Sequence, residues 1–242
     1  MTTSSYSIAV GGLKVEVEPK PIKNLYVGVY PPEGHVRVAA PRSLSKDAVR
    51  LAVVDRLSWI KRQRKKFREQ ERQSEREVVS GETHYFLGRR YRLHVVERSG
   101  PAEVVIKNKS VIYMYVRPRT SEPRREALLY DWYRSQLRAL VANMLPDCEK
   151  RIGAQSNEFR VRKMKTKWGS CSRQASRVWL NVELVKRPIE CIRYVLLHEL
   201  AHLIERHHDE HFIALMDRAM PNWRSIRDAL NTGPLAHEHW RY

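Results

Sequence analysis

The feature that most constrains this chain is a short, almost wholly apolar segment that carries His198, Glu199 and His202 in the pattern His-Glu-x-x-His. The apolar residues around them occupy nearly every side of a helix, which is typical of a helix buried on most of its surface. They are Ile192, Val195, Leu196, Leu197, Leu200, Ala201, Leu203 and Ile204. Side chains four residues apart lie on one helix face, so the two imidazoles can hold one metal ion.

Glu199 lies between these two histidines in the sequence and is placed to take a proton from a water at the open position of the metal. A lone histidine in an apolar segment is more often a core residue whose nitrogens are satisfied by hydrogen bonds. Two histidines at this spacing, with a glutamate between them, favour a metal site instead. The segment therefore predicts a catalytic zinc on a buried helix.

A catalytic zinc usually has three protein ligands and a water, so a third ligand is expected near the pair. The residues after the helix that can supply it are His207, His208, His211, Glu205 and Glu210. In a straight helix a residue six positions after His202 would point about 240° away from it, so the chain is predicted to bend after Ile204. Chemistry alone favours His208 over His211 and leaves both open.

Three stretches of the chain resemble the YgjP-like family of predicted zinc metallopeptidases, which is related to the SprT-like group. They are residues 165–172 (K-T-K-W-G-S-C-S), 178–181 (V-W-L-N) and 194–202 (Y-V-L-L-H-E-L-A-H). The resemblance implies that His198, His202 and His208 hold one zinc ion and that Glu199 is the catalytic glutamate. The family pattern has Asn, Ser and Trp where this chain has His207, Asp209 and Ile213.

The charge of the chain is strongly positive, because 45 Lys and Arg against 27 Asp and Glu give a formal +18. Such a balance attracts polyanions, and nucleic acid is the first partner to consider. One cluster lies on a predicted helix, where a solvated face is the alternative to nucleic-acid binding. The nucleic-acid contacts predicted there are Lys61, Arg62, Arg64, Lys65 and Lys66.

A second basic run, residues 160–167, contains no acid and adjoins the W-G-S-C-S box, so we expect it near the active site. Its lysines are suited to phosphates or an acidic peptide, with plain solvation as the alternative. Trp168 is by default a core aromatic residue, with stacking on substrate as the functional alternative. The substrate contacts predicted in this region are Lys165, Lys167, Trp168 and Asn181.

The order of predicted elements indicates an α+β fold with two domains. Residues 1–120 form a β-rich N-terminal region with one long basic helix over residues 45–72, and residues 121–242 form a zincin-like domain with the His-Glu-x-x-His helix. The strands before residue 117 are expected to form one antiparallel sheet. Residues 111–116 have no strongly polar position and are predicted to be covered on both faces.

The remaining composition narrows the class of protein. No apolar run approaches the ~20 residues needed to cross a bilayer, and the N-terminus has no signal-peptide pattern. Cys148, Cys171 and Cys191 are widely spaced, which argues against a disulfide framework and for a cytoplasmic location. Basic neighbours of Cys171 would favour a thiolate, so a cysteine nucleophile is a weaker alternative to the metal site.

These observations together predict a zinc-dependent metallopeptidase with one zinc ion per chain and a peptide or protein substrate. One alternative is a metal-dependent hydrolase of a phosphate-bearing substrate such as a nucleotide. The other is a DNA-associated protease that acts on nucleic-acid-bound proteins, which the similarity to the SprT-like group suggests. A non-catalytic binding module would have no use for Glu199.

Overall fold

The computed structural model describes residues 5–30, 34–69, 77–164 and 167–232. These residues form an α+β fold, as the sequence predicts, with eleven strands, six α-helices and one 3-10 helix. Contacts divide the chain into two compact units, whose described parts are residues 5–69 and 77–232. Each unit has its own cluster of buried apolar residues.

The first unit is built on a four-stranded sheet. Its strands are β1 (Tyr6–Val10), β2 (Leu13–Lys20), β3 (Tyr26–Tyr30) and β4 (His35–Pro41), in the order β1-β2-β4-β3. The central pair β2 and β4 is parallel, and both outer strands are antiparallel to their neighbours. Gly11 and Gly12 join β1 to β2 with φ of 56° and 77°, which a two-residue hairpin turn of this hand requires.

Two helices follow this sheet, where the sequence predicts one long helix. Helix α1 (Lys46–Asp55) begins at Ser45, whose hydroxyl accepts the backbone N–H of Ala48 at 3.1 Å. Helix α2 (Leu57–Glu69) begins after a turn tighter than that of an α-helix. In this turn the N–H of Arg56 bonds to the carbonyl of Val53, three residues earlier instead of four. Neither proline nor glycine marks this break, so the sequence contains no local signal for it.

The second unit begins with a sheet of the same design. Its strands are β5 (Thr83–Phe86), β6 (Arg89–Glu97), β7 (Glu103–Lys107) and β8 (Val111–Val116), in the order β5-β6-β8-β7 with β6 and β8 parallel. The expectation of one antiparallel sheet is therefore wrong: there are two mixed sheets. In each sheet the first two strands form one antiparallel hairpin and the last two form another. The second strand of each hairpin lies in the middle of the sheet, and these two middle strands are parallel to each other.

Strand β8 is buried on one face only, whereas the sequence predicts that it is covered on both. Ile112, Met114 and Val116 are buried, but Tyr113 and Tyr115 lie partly exposed on the opposite face. The guanidinium of Arg98 lies 3.8 Å from the centre of the Tyr115 ring. A tyrosine ring attracts cations and its hydroxyl reaches water, so an apparently apolar strand has a solvent face.

Helix α3 (Glu122–Ile152) begins after Ser121 and has Pro123 in its first turn, where a missing N–H breaks no hydrogen bond of the helix. Its buried residues, which include Leu129 and Leu137, share one apolar core with strands β6 and β8. The hydroxyl of Tyr133 donates to the carbonyl of Tyr85 in β5 at 3.1 Å. Residues on both sides of position 120 therefore pack together, which differs from the predicted division of the chain at that point.

The rest of the second unit surrounds the His-Glu-x-x-His helix. Strands β9 (Glu158–Arg162), β10 (Gly169–Ser172) and β11 (Arg177–Asn181) form a sheet in the order β10-β11-β9, so that β10 is an edge strand. A 3-10 helix (Val182–Lys186) leads into α4 (Ile189–Ile204), which packs against α3, β10 and β11. Helices α5 (Glu210–Ala219) and α6 (Trp223–Thr232) follow. In the described ranges no helix combines the length and apolarity of a membrane span.

Candidate metal centre

Helix α4 carries the two histidines on one face, as their spacing predicts. The rings of His198 and His202 lie with their centres 4.8 Å apart. The helix ends at Ile204, because Glu205 adopts an extended backbone with φ of −118° and ψ of 124°. The predicted bend after Ile204 is therefore present, and it turns the following loop back toward the helix.

This loop brings His208 to the pair. The Nε2 atom of His208 lies 3.2 Å from Nε2 of His198 and 3.1 Å from Nε2 of His202. Two nitrogens bound to one tetrahedral zinc at its usual bond length lie about 3.3 Å apart. Three convergent nitrogens at this spacing have the geometry of a metal ligand set. His211 is not part of this group, since its Nδ1 lies 3.5 Å from a carboxylate oxygen of Glu205 and its side chain is mostly exposed.

Hydrogen bonding and burial suit these imidazoles to binding a metal. Nδ1 of His202 lies 3.0 Å from the carbonyl oxygen of Glu205, which can only accept, so Nδ1 carries a proton and Nε2 is the nitrogen that faces the other two rings. Burial, with smaller contributions from the neighbouring His202 and His208, lowers the pKa of His198 to about 3. Burial also lowers the pKa of His208, with His202 and His207 adding to the effect. Neutral imidazole is the form that binds a metal.

Phe212 packs against the rings of all three histidines, a role that we did not predict from the sequence. Its side chain, in the first turn of α5, is almost completely buried. Its ring centre lies 5.0 Å from that of His198, 4.9 Å from that of His202 and 4.6 Å from that of His208. The position of Phe212 four residues after His208 is the local signal that was available.

Glu199 faces β10 across a very close contact. Burial raises the pKa of its carboxyl to about 7, and the nearby charge of Lys167 opposes this rise. A Cβ atom on Gly169 would lie 2.7 Å from both Cγ and Oε1 of Glu199, closer than two such atoms can approach. The glycine of the W-G-S-C-S box is therefore required by the space that the glutamate occupies.

A cleft of about 800 Å³ opens over these residues. One wall consists of residues 167–174, which include β10, and the other includes Tyr194, Glu199 and the three histidines. Arg206 and Arg227 also line it. The free edge of a strand beside a candidate metal centre can pair with an extended peptide.

The predicted substrate contacts have different positions in the structure. Lys167 and Trp168 line the cleft, whereas Lys165 lies outside the described residues. Asn181 is buried and does not line the cleft. Its amide nitrogen donates to the carbonyls of Met164 and Lys167, both at 2.9 Å, and its oxygen accepts from the N–H groups of Met164 and Glu183. All its hydrogen-bonding capacity is used to hold the segment that precedes β10.

The predicted nucleic-acid contacts lie on α2, in the first unit and not in the unit of the histidines. Lys61, Arg62 and Lys65 are exposed and Arg64 is partly buried. The side chain of Lys66 lies outside the described part of the chain.

Cys171 does not have the properties of a nucleophile. Burial and, to a smaller extent, the charge of Glu199 raise the pKa of its thiol to about 11, although Arg173 opposes the rise. The thiol is therefore protonated near neutral pH, contrary to the thiolate that its basic neighbours suggested. Cys148, Cys171 and Cys191 are all free thiols in the structure.

Comparison with known proteins decides the family. The family described as YgjP-like, metallopeptidase domain matches residues 23–233. The chain belongs to the YgjP-like family. This confirms the resemblance seen in the sequence and makes the protein a metallopeptidase that requires a metal and acts on a peptide or protein substrate.

One solved metallopeptidase structure is similar to part of the chain. It is the crystal structure of the metallopeptidase zymogen of Pyrococcus abyssi abylysin. The match covers 39% of this YgjP-like chain and 99% of the abylysin chain, with 22% identity and a TM-score of 0.36. A search of curated proteins found no match.

Proposed function

We propose that this YgjP-like protein is a zinc-dependent metallopeptidase with one zinc ion per chain, held by His198, His202 and His208. The observation that carries the proposal is the convergence of the three Nε2 atoms, at 3.1 and 3.2 Å from His208 to its two partners. Three neutral imidazoles with an open fourth position are a typical ligand set for catalytic zinc. A buried helix of this kind beside an edge strand also supports a zincin-like architecture for this unit.

Glu199 acts as the general base in this proposal. When bound, zinc would supply Lewis acidity, which lowers the pKa of water and polarises the scissile carbonyl. The Glu199 carboxylate takes a proton from the attacking water and delivers it to the nitrogen of the leaving amine. Burial against Gly169 keeps this carboxyl away from bulk water and limits its rotation.

Tyr194 is our candidate for the group that stabilises negative charge on the substrate carbonyl oxygen. It lines the cleft one helical turn before His198, and the two ring centres are 5.8 Å apart. Its hydroxyl makes no hydrogen bond to any residue in the described ranges, so it is available to a substrate. A hydroxyl that donates to the developing oxyanion lowers the barrier of peptide hydrolysis.

Metal analysis of purified variants tests the ligand set. We expect about one zinc per chain in the wild type, its loss in His198→Ala, His202→Ala and His208→Ala, and its retention in the matched control His211→Ala. Glu199→Gln should keep zinc and lose peptide cleavage, because the amide cannot accept the proton. Full zinc content in His208→Ala would contradict the proposed ligand set.

A DNA-associated role and a cytoplasmic location remain predictions from the sequence. The exposed cations of α2 provide a specific test of DNA association. If this helix binds nucleic acid, replacing Lys61, Arg62 and Lys65 by alanine should weaken binding to a DNA duplex and reduce its salt dependence. Unchanged binding would assign the affinity to another surface.

A further inference from the structure

The cleft around the three histidines is strongly basic. Its lining includes four cationic side chains, Lys167, Arg173, Arg206 and Arg227. Among the described residues that line it, Glu199 is the only carboxylate. A cleft with one sign of charge concentrates ligands of the opposite sign.

Three of these four cationic side chains have no carboxylate partner among the described residues. Lys167 and Arg206 make no ion pair within the described ranges, and both are exposed. Arg173 donates to the carbonyl oxygen of Ile204 at 3.0 Å, which is a neutral acceptor. Arg227 is the exception, since it shares its charge with Asp228 at 3.0 Å.

The carboxylates of the neighbouring loop do not cancel this charge inside the cleft. Glu205 accepts the backbone N–H of Arg206 at 2.8 Å, and Asp209 accepts the backbone N–H of Phe212 at 3.0 Å. Glu210 lies in the first turn of α5. None of these three acids lines the cleft.

The cations are distributed along β10. Lys167 precedes the strand and Arg173 follows it, so that they lie at opposite ends of its free edge. Six residues of extended chain span up to about 20 Å. A peptide paired with this edge would therefore have a cation near each end of the paired segment.

We propose that the cleft selects acidic peptide segments, with Asp or Glu on both sides of the scissile bond, an inference that rests on the proposed peptidase function. Lys167 attracts carboxylates at one end of the bound segment, and Arg173 with Arg206 attracts them at the other. Because these side chains are exposed, the preference is moderate and depends on salt.

Cleavage of three matched peptides by the zinc-loaded protein tests this. The peptides share a neutral central sequence and differ only in their flanks, which carry Glu, Gln or Lys. We expect kcat/KM for the Glu peptide to exceed that for the Gln peptide by about threefold to tenfold at low salt, with the Lys peptide slowest. The preference should shrink at about 0.5 M salt.

Charge reversal locates the preference. Lys167→Glu and Arg173→Glu should each remove the part of the preference that belongs to one flank. Peptides with Glu on one flank only should show that each variant affects a different flank. Arg138→Glu is the matched control, because this exposed arginine lies on α3, outside the cleft, and the change in net charge is the same. Zinc content is measured for every variant, and a variant with reduced zinc is replaced by Lys167→Gln or Arg173→Gln.

The outcomes separate this inference from the function on which it rests. Equal cleavage of all three peptides would overturn the acidic preference and leave the peptidase intact. A preference retained in both charge reversals would also overturn it. Absence of any peptide cleavage, together with phosphate release from a nucleoside triphosphate, would overturn both and assign the cations to a phosphate-bearing substrate.

Discussion

The side chains of the metal centre depend on contacts that the His-Glu-x-x-His pattern does not contain. Phe212 packs against all three imidazoles, and the carbonyl of Glu205 fixes the tautomer of His202. Gly169 leaves the space that Glu199 fills. Each of these contacts fixes the orientation of a side chain, and metal binding and catalysis are both sensitive to orientation.

Gly169→Ala tests the contact behind Glu199. Its added Cβ would lie 2.7 Å from the glutamate side chain, which must then move. We expect kcat/KM to fall about 100-fold, because a shift of roughly 1 Å in a catalytic group has an effect of this size. Zinc content should remain at the wild-type level, since the three histidines are unchanged. Wild-type activity in this variant would show that the position of Glu199 is not critical.

Tyr194→Phe tests the assigned oxyanion donor. Removing the hydroxyl should lower kcat by about 10²-fold with little change in KM or zinc content. The ring should keep its place, because it stacks on Trp223 with ring centres 6.2 Å apart and planes 4° apart. Equal changes in kcat and zinc content would instead indicate a structural role for the hydroxyl.

Two elements form the framework of the centre, α4 and the edge strand β10. The loop before β10 is held by Asn181, at the end of β11, and the adjoining 3-10 helix buries Glu183. The Glu183 carboxylate accepts from the Tyr130 hydroxyl at 2.8 Å and from Nζ of Lys186 at 2.7 Å. This buried cluster connects α3 to the segment that precedes α4.

Glu183 predicts a specific loss of stability in acid. Burial alone would raise its pKa, but Lys186 and the Tyr130 hydroxyl outweigh this and hold the pKa below the usual 4.5. A lowered folded-state pKa contributes stability above pH 4.5 that is lost as the pH falls through the folded-state value. Glu183→Gln should therefore lower the free energy of unfolding by about 3–5 kcal/mol at pH 7, because Lys186 is left unpaired.

Chemical denaturation of wild type and Glu183→Gln at pH 7, 5, 4 and 3 measures this. The difference between the two proteins should be constant at the higher pH values and shrink below about 4.5. A difference that does not change with pH would show that the loss comes from packing and not from charge.

Local pattern predicted the helices of the site region well. The buried helix that carries His198 and His202 and the bend after Ile204 both agree with the structure. The break at Arg56 and the strand β10 were not predicted. Caps, proline and helical periodicity are local signals, whereas a four-residue edge strand of small residues exists only because β11 pairs with it.

At the scale of the whole molecule, the two units have separate cores but sheets of one design. Both sheets place the second and fourth strands in a parallel central pair. Only the second unit contains the three histidines. Zinc binding should therefore act on the stability of one unit.

Zinc removal tests this separation. At a free zinc concentration 1,000 times Kd, binding stabilises the folded state by about 4 kcal/mol, which corresponds to roughly 8–16 °C in Tm for a unit of this size. Chelation should lower the Tm accordingly and speed amide hydrogen exchange in α4 and β10. Exchange in β1 to β4 is the internal control and should not change. Equal acceleration in both sheets would show that the units unfold together.

The sequence by itself determined the helix of the candidate metal centre, with His198, His202 and Glu199 on one buried segment, because helical spacing is a local property. It also determined the positive charge and, through the W-G-S-C-S box, the family. Residue chemistry left His208 and His211 both open, and the tertiary structure brings only His208 to the pair. Only the tertiary structure decided that Gly169 lies against Glu199 and that distant cations share one cleft. Those features depend on how loops close and strands pair over long separations, and residue spacing alone does not specify that.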